Sequence, residues 1–437
     1  MMTTVLRIET IELPYTPVLS KLCHQVKNLY NRANFLVKDS LNRYNKILSY
    51  YDLNILLKVE ECYRILPAQT AQHTLKLLTR NWKAYFYAVK EWKIHPSKFF
   101  SKPKPPKYKP KDGEAVAIFT NQQIRLQNGW LIFPKKVVFY YKTRLTALTK
   151  LKEVRIIPRQ VGYTLELIYE KILPKQIKQK RTRKGAIDLG AVNLVTFVDN
   201  LGSQPIVIKD HGKGIKSIIQ YYQKKQKQLK EQYVQQQKKN LKKQQPLVYG
   251  QTYSRLRENY RKKLKNALHN LTKYFIDVFI GRDLHEVVIG YNPKWKQQVN
   301  LGKKITQMFV TIPFLKIIKQ LKYKGEEQGI LVETTPEDYT SKSSFLDNEF
   351  PQKRIKYLGK RSSRGLFTSA KGYKINADVN AAYNILTKSD PKALQPRKVN
   401  GVGGYVMYPL RVCVDPQGMK HTVSTKYAKQ CVVSLPT

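Results

Sequence analysis

At 437 residues the chain is too long for one compact core, which predicts two or three domains. Hydrophobic residues make up 42% of it, enough to exclude global disorder. Eighty Lys and Arg against thirty Asp and Glu leave a net charge of +50, far more than solubility requires. A charge of that size exists to meet a polyanion, nucleic acid first and an anionic membrane surface second.

No window reaches the roughly 18–20 apolar residues of a membrane span, and the opening "MMTTVLRIETIELPY" has no signal-peptide pattern. Cys23, Cys62, Cys413 and Cys431 lie far apart without C-x-x-C spacing. That argues against a disulfide framework or a zinc site and predicts reduced thiols in a cytosolic protein.

In chain order, "TVLRIETIEL" reads as a strand. Val18, Leu22, Val26, Leu29, Ala33 and Leu36 then recur at helical spacing over residues 17–44. In "AQTAQHTLKLLTRNWKAYFYAVKEW", Leu75, Leu78, Trp82 and Phe86 share one helical face, which predicts a core rather than a base-stacking platform. "SKPKPPKYKPKDG" cannot be helical and marks a boundary. Beyond it, "AVAIFT", "QIRLQNGWLIF", "VVFYY", "EVRIIP" and "YTLELIYE" are strand-like, with "QNG" as a hairpin turn. They predict a small β-barrel or open sheet over about residues 110–172, which the N-terminal strand can join.

The cationic stretch "PKQIKQKRTRK" leads into a new pattern. "GAIDLG", "NLVTFVDN" and "QPIVIKD" predict a three-stranded meander. A Lys/Gln-rich helical segment over 213–280, broken near "QQPLVYG", predicts a helical hairpin. Then follow strand "EVVIGYN", helix "IPFLKIIKQLKYKGEEQG", strand "ILVETTPE" and helix "NADVNAAYNIL". The order β-β-β-α-β-α-β-α matches an RNase H-like fold. Residues 391–437 form a tail of undisclosed role.

Nucleases of that fold use two divalent ions to activate water and stabilise the leaving oxygen. Hard Mg²⁺ needs oxygen ligands, so several carboxylates must converge. Asp188 is the first candidate: it sits mid-strand between Ile187 and Leu189, where propensity and burial both disfavour a carboxylate. Asp378, near the start of the last helix, is the second, although an acidic first-turn residue favoured by the helix dipole is an equal local reading.

"KGAIDLGAVNLVTF" and "INADVNAAYNIL" resemble the first and third RuvC motifs of the TnpB family, the insertion-sequence OrfB proteins related to type V CRISPR nucleases. "LPAQTAQHTLKLLTRNWKAYF" and "YTSKSSF" are similar to that family's N-terminal helices and the segment before its zinc ribbon. The resemblance covers about residues 1–390 in the family's order. It implies a transposon-associated RNA-guided DNA endonuclease that binds a guide RNA from the transposon end, recognises a short motif beside double-stranded target DNA, and cuts at a Mg²⁺-dependent RuvC site with two ions. It also implies a prokaryotic protein associated with the nucleoid. The expected fold is multidomain α+β. A β-barrel wedge domain would span 1–10 and 99–180, and a helical recognition domain 11–98. An RNase H-like α/β nuclease domain would span 181–339 and 374–390 with its helical insertion at 213–280. A ribbon-like insert would occupy 340–373, before the 391–437 tail.

Two departures stand out. Family members carry Glu directly after the second RuvC strand, where this chain has Gly290, and a four-cysteine zinc ribbon where residues 340–373 hold no cysteine. No zinc is expected, and the ribbon needs another source of stability. The missing Glu yields to geometry. The first, fourth and fifth strands of an RNase H-like sheet are adjacent and parallel, so their carboxyl ends share one side. A Glu lost from the fourth strand can come from the fifth, about 4.8 Å away. That end reads "ILVETTPEDYTSK" and offers Glu337 and Asp338. Glu286 lies at the opposite end, about 13 Å away, and Glu333 comes too early in the strand. OrfB proteins of the same "GYN…WKQ" subtype retain a Glu at the Glu337 position. The expected metal ligands are therefore Asp188, Glu337 and Asp378.

Candidate nucleic-acid contacts are Lys180, Arg181 and Arg183 in the cationic stretch, and Trp295 with Lys296 just past the broken motif, where buried packing of the Trp is an equal reading. Gln69, Gln72, Thr120 and Asn121 fall where family members face the target-adjacent duplex, and amides can read adenine. The rival readings are a nuclease-dead RNA-guided DNA-binding repressor or accessory protein, a DDE-type transposase acting without RNA, and an RNA chaperone. Oligomeric state is open.

Overall fold

The computed structural model describes residues 3–146, 149–173, 182–209, 214–240, 250–293, 302–363, 365–394, 409–415 and 418–421. The chain divides into two compact units, Met1–Pro174 and Lys175–Thr437. Among the described residues no helix is long and apolar enough to cross a membrane.

The first unit runs β1 (Thr3–Leu13), α1 (Pro17–Tyr44), α2 (Tyr50–Leu57), α3 (Glu61–Arg64), α4 (Ala68–Ile94), β2 (Ala117–Thr120), β3 (Arg125–Gln127), β4 (Trp130–Ile132), β5 (Tyr140–Lys142), β6 (Leu151–Pro158) and β7 (Tyr163–Leu173). Thr16 caps α1 by accepting from the Leu19 amide, and Pro17 supplies the preset first-turn backbone. Leu22, Val26, Leu29 and Ala33 are buried as their spacing predicts, but Val18 is exposed and Leu19 takes its place in the core. Leu75, Leu78 and Trp82 are buried on α4, with Phe86 packed against them. The N-terminal strand does join the later ones, because β1 pairs antiparallel with β7 along its whole length. Asn128 and Gly129 both take positive φ and close the β3–β4 hairpin.

These strands form two separate sheets, ordered β1-β7-β6-β2 and β3-β4-β5, and among the described residues no closed barrel. β3, β4 and β5 are three residues each and pair only with one another, so nothing links the β2 edge back to β1. The β-barrel expected over residues 1–10 and 99–180 is therefore not formed among the described residues, which build the open sheet instead.

The second unit contains β8 (Lys184–Asp188), β9 (Val195–Asp199), β10 (Ile206–Lys209), α5 (Ile215–Asn240), α6 (Gln251–Gly281), β11 (Glu286–Gly290), α7 (Lys303–Thr311), α8 (Phe314–Glu327), β12 (Leu331–Thr335), β13 (Lys360–Ser363), β14 (Leu366–Thr368), β15 (Lys374–Asn376), α9 (Ala377–Ser389), β16 (Leu410–Asp415) and β17 (Gly418–His421). Its main sheet is ordered β12-β11-β8-β9-β10-β16-β17. β8, β11 and β12 are adjacent and parallel, and β9 runs antiparallel to β8 and β10.

Both faces of its β8, β9 and β11 strands are covered, which is why these read as nearly unbroken apolar runs. Ile187, Phe197, Val287 and Ile289 share one hydrophobic cluster with Phe275 and Phe279 of α6 and Ile317 and Leu321 of α8. Their sequence neighbours Ala186, Val198 and Val288 point the other way, as alternation requires, and pack with Tyr383, Ile385 and Leu386 of α9. Part of the tail has a place: β16 adds in parallel to β10, and β17 folds back on it.

The insert between β12 and α9 holds a three-stranded sheet, β13-β14-β15. Two carboxylates tie it down. Glu349, 5% exposed, accepts from the amides of Ser344 (2.8 Å) and Leu358 (3.3 Å) and pairs with Arg354 at 3.5 Å. Asp347 accepts from the Ser344 hydroxyl at 2.6 Å and the Ala370 amide at 2.8 Å. Three stretches distant in sequence are joined through two acid side chains. This is a polar substitute for the cross-link that four cysteines and a zinc ion would provide.

Candidate active site

β8 ends on Asp188, and β11, one strand over, ends on Gly290. Gly290 pairs with Thr335, the last residue of β12, and Glu337 follows two residues on. The space above Gly290 is occupied. A Cβ built there would stand 2.5 Å from Ile385 Cδ1 and 3.4 Å from Glu337 Cβ. Glu337 therefore enters the side-chain space beside the fourth-strand position through the neighbouring strand. Ile385 of α9 fills the volume an ordinary side chain at residue 290 would take.

Glu337 is held from behind by α9. Asn384 Nδ2 donates to the carbonyls of Thr340 (2.9 Å) and Ser343 (2.7 Å), and Asn380 bonds both the Ser343 carbonyl and the Phe345 amide. The Thr340 amide and hydroxyl both return to the Glu337 carbonyl, at 3.2 and 2.7 Å. Lys388 Nζ donates to the Asp338 carbonyl at 2.9 Å. Sequence reasoning passed over both asparagines. The available signal was two buried amides four residues apart on an apolar helix, which lie on one face and need partners.

The same helix carries Asp378 in its first turn, where the Asn376 side chain caps the amides of Asp378 and Val379. Asn193, in the turn after β8, donates from Nδ2 to Asp378 Oδ2 at 2.5 Å. Arg361 of β13 lies 3.9 Å from Asp378 Oδ1. Neither Asn193 nor Arg361 was singled out from the sequence.

Electrostatics tie the three acids together. Burial pushes the Asp188 carboxyl well above the usual carboxylate range, repulsion from Asp378 and then Glu337 adds to it, and Arg361 pulls it back. Glu337 is pushed up to about 7, first by burial and then by Asp338, with Lys388 opposing. Asp188 is thus the acid at which the charges of the other two are felt.

The donor chemistry suits a hard divalent cation: carboxyl oxygens, two of the three acids with raised pKa values that a bound cation would lower. Among the described residues no group of three or more His, Cys, Asp or Glu closes around a single point. Mg²⁺ is characteristically held by one or two carboxylates, with water and substrate phosphate completing the shell, rather than by an all-protein cage.

The acids also fall inside two matched segments. The OrfB_IS605 profile, described as a probable transposase, matches residues 166–296, which include Asp188 and Gly290. The Cas12f1-like TNB domain profile matches residues 314–385, which include Glu337 and Asp378. The resemblance to the TnpB/OrfB family is borne out. Similar solved structures include a Cas12f1–sgRNA–target DNA complex, with 15% identity over 89% of this chain and 100% of that one and a TM-score of 0.34. Another is C2c1 of Alicyclobacillus acidoterrestris with single-guide RNA, at 9% identity, 85% and 67% coverage and a TM-score of 0.35. A third is CasPhi-2 (Cas12j) bound to crRNA, at 9%, 90% and 99%, and 0.34. No curated protein sequence matches the chain.

Of the OrfB-type contact residues expected from sequence, Gln69, Thr120 and Asn121 come together where the start of α4 meets the end of β2. Gln69 Oε1 accepts from the Thr120 hydroxyl, and its Nε2 donates to Gln122 Oε1 at 2.5 Å. The Asn121 side chain stays exposed beside them. Gln72 lies nearly one turn along α4, and the neighbouring Tyr63 hydroxyl donates to Asn54. Arg183 forms an exposed ion pair with Asp283 at 2.7 Å. Lys180, Arg181, Trp295 and Lys296 lie outside the described residues.

Proposed function

We propose that this protein is a transposon-associated, RNA-guided DNA endonuclease that cuts at a RuvC-type site built from Asp188, Glu337 and Asp378. One observation carries the reading: the Glu337 Cβ lies 3.4 Å from where a Gly290 side chain would begin, so the acid missing from β11 is returned from β12. The two matched profiles and the guide-RNA and target-DNA complexes named among the similar structures support the same class. In this reading residues 181–339 and 374–390 form the RNase H-like nuclease domain, 340–373 its target-binding ribbon, 11–98 a recognition domain, and 1–10 with 99–180 a wedge. Gln69, Gln72, Thr120 and Asn121 face the target-adjacent duplex. The +50 charge tracks the guide RNA and target DNA backbones in a prokaryotic cytoplasm, at the nucleoid.

When bound, two Mg²⁺ ions would supply Lewis-acid activation of the attacking water and positive charge at the leaving oxygen. The chain's own part is to present oxygen. Asp188 projects from the central strand, Glu337 from its neighbour's neighbour, and Asp378 from the helix above. Repulsion from Asp378 and Glu337 at Asp188 favours a bound cation, and that cation in turn would attract the anionic phosphodiester. Arg361, beside Asp378, is placed to meet the scissile phosphate.

The test is cleavage of a guide-matched plasmid library with randomised flanks by the protein bound to its transposon-end RNA, in Mg²⁺. Breaks beside one enriched motif, lost in Glu337→Gln with target binding kept, support the reading. Binding to such a motif without breaks would make the protein a guided binder, the rival that draws on Gly290 and on the lack of a preformed three-ligand cage among the described residues.

A further inference from the structure

Asn193 is 8% exposed, and its two polar atoms have opposite fates. Nδ2 donates to Asp378 Oδ2 at 2.5 Å, whereas Oδ1 is buried with no hydrogen-bond partner among the described residues. A carboxamide that only needed burying would satisfy both ends or sit at the surface, because an orphaned acceptor is unfavourable.

The backbone around it is built to deliver this side chain. The turn from β8 is closed by Gly190, where a Cβ would come within 2.7 Å of the Asn193 carbonyl oxygen, so a larger residue would force the turn open. The Leu194 amide donates to the Ile208 carbonyl at 3.1 Å, and the buried Lys216 at the start of α5 donates to the Val192 carbonyl. A tight turn fastened on both sides of residue 193 thus holds one neutral amide against one of three mutually repelling acids.

We propose that Asn193 is a positioning residue for the divalent-ion site: Nδ2 fixes the orientation of the Asp378 carboxylate, and Oδ1 supplies a neutral oxygen to the ion's hydration shell. The proposal rests on the reading of Asp188, Glu337 and Asp378 as ion ligands. A neutral oxygen suits the position, since a fourth carboxylate would add to the repulsion already felt by Asp188. Outer partners of this kind set ligand orientation and metal affinity more than they set the chemistry.

The experiment compares wild type, Asn193→Ala, Asn193→Asp and Asp188→Asn, each bound to guide RNA. It reads cleavage rate against Mg²⁺ concentration, site-bound Mn²⁺ by electron paramagnetic resonance with the Asp188→Asn signal subtracted, and melting temperature with guide-RNA affinity. Asn193→Ala is expected to raise the half-maximal Mg²⁺ concentration roughly tenfold and weaken site-bound Mn²⁺ in parallel. Its rate at saturating Mg²⁺ and its guide affinity should stay within about threefold of wild type. Asn193→Asp keeps an oxygen but, unlike the alanine, sets a fourth carboxylate against Asp378 and pushes it out of place, so its rate should stay low even at saturating ion. An unchanged Mg²⁺ dependence in Asn193→Ala overturns the proposal, as does a fall in melting temperature and guide affinity with ion binding intact. If wild type does not cut yet binds Mn²⁺ in an Asp188-dependent way, the Mn²⁺ readout alone decides Asn193. If wild type shows no such ion, the ligand assignment fails and the role of Asn193 fails with it.

Discussion

At the amino ends of β8 and β11, Lys184 lies 3.2 Å from Glu286 and 2.9 Å from Asp390 of the α9 C-cap. Close by, Arg282 reaches the fully buried Asp199 at 2.7 Å and donates to the Gln204 carbonyl. At the carboxyl ends of the same strands, Asp188, Glu337 and Asp378 are countered only in part, by half-exposed Arg361 and, at Glu337, by Lys388. One sheet thus handles acids in two ways. Where charge is matched inside the protein the acid is architecture, as Glu286 and Asp199 are. Where it is left over among the described residues, the acids hold their protons more tightly, as Asp188 and Glu337 do, and a bound cation would release them.

The sharpest way to break this contrast is to neutralise one acid at each end. Glu337→Gln should lower guided cleavage by at least about a hundredfold, beyond the loss typical of an outer-shell partner, with target binding kept. Glu286→Gln should leave the rate of the folded protein unchanged and lower only its melting temperature. Equal losses of rate in both variants would erase the distinction. A converse experiment moves the acid back. Gly290→Glu combined with Glu337→Ala and Ile385→Val, which removes the Cδ1 that stands 2.5 Å from a residue-290 Cβ, should cut at least roughly tenfold faster than Glu337→Ala alone.

Next in size is the Glu349 tie. Glu349→Ala strands the buried Ser344 amide and the part-buried Leu358 amide and should destabilise the insert by about 2 kcal/mol, seen as fast hydrogen exchange over residues 343–376 while β8 and β11 stay protected. Lys184→Met follows, at about 2 kcal/mol, because it leaves Glu286 and Asp390 side by side without a cation. Its melting temperature should fall and its rate per folded molecule should not.

Legibility in the sequence followed the range of the forces involved. β8 and β11 were readable as apolar runs because both their faces are covered, and the parallel direction of β8, β11 and β12 made Glu337 a short geometric step as the candidate for the missing acid. The α1 and α4 cores were readable from helical period, but Leu19 rather than Val18 entered the core because Thr16 capping sets the phase of the first turn. Closure of the N-terminal strands was not readable, since it depends on which short strands pair. Nor were Asn193, Arg361, Glu349 and the tail strand β16. Each acts through a partner between 9 and about 200 residues away, and a polar side chain gives no sign in the sequence of what it will meet.

The smallest expected effect sharpens the comparison by pH. The Glu337 carboxyl is raised to about 7 by burial and by Asp338, so it holds its proton more tightly in the folded chain than in the unfolded one. Its contribution to stability without ions is therefore greatest below about pH 4.5 and is lost as pH rises through about 7, a change on the order of 2 kcal/mol after discounting for partial exposure. Ion binding needs the charged form, so the two requirements oppose each other. The Mg²⁺ concentration for half-maximal cutting should rise by up to about tenfold for each unit that pH falls below 7 and level off above it. Added Mg²⁺ should raise the melting temperature most at pH 8, where the uncompensated charge is largest. Glu337→Gln should flatten both curves. Glu286→Gln should flatten neither curve, because Glu286 sits at the opposite end of the sheet, paired with Lys184.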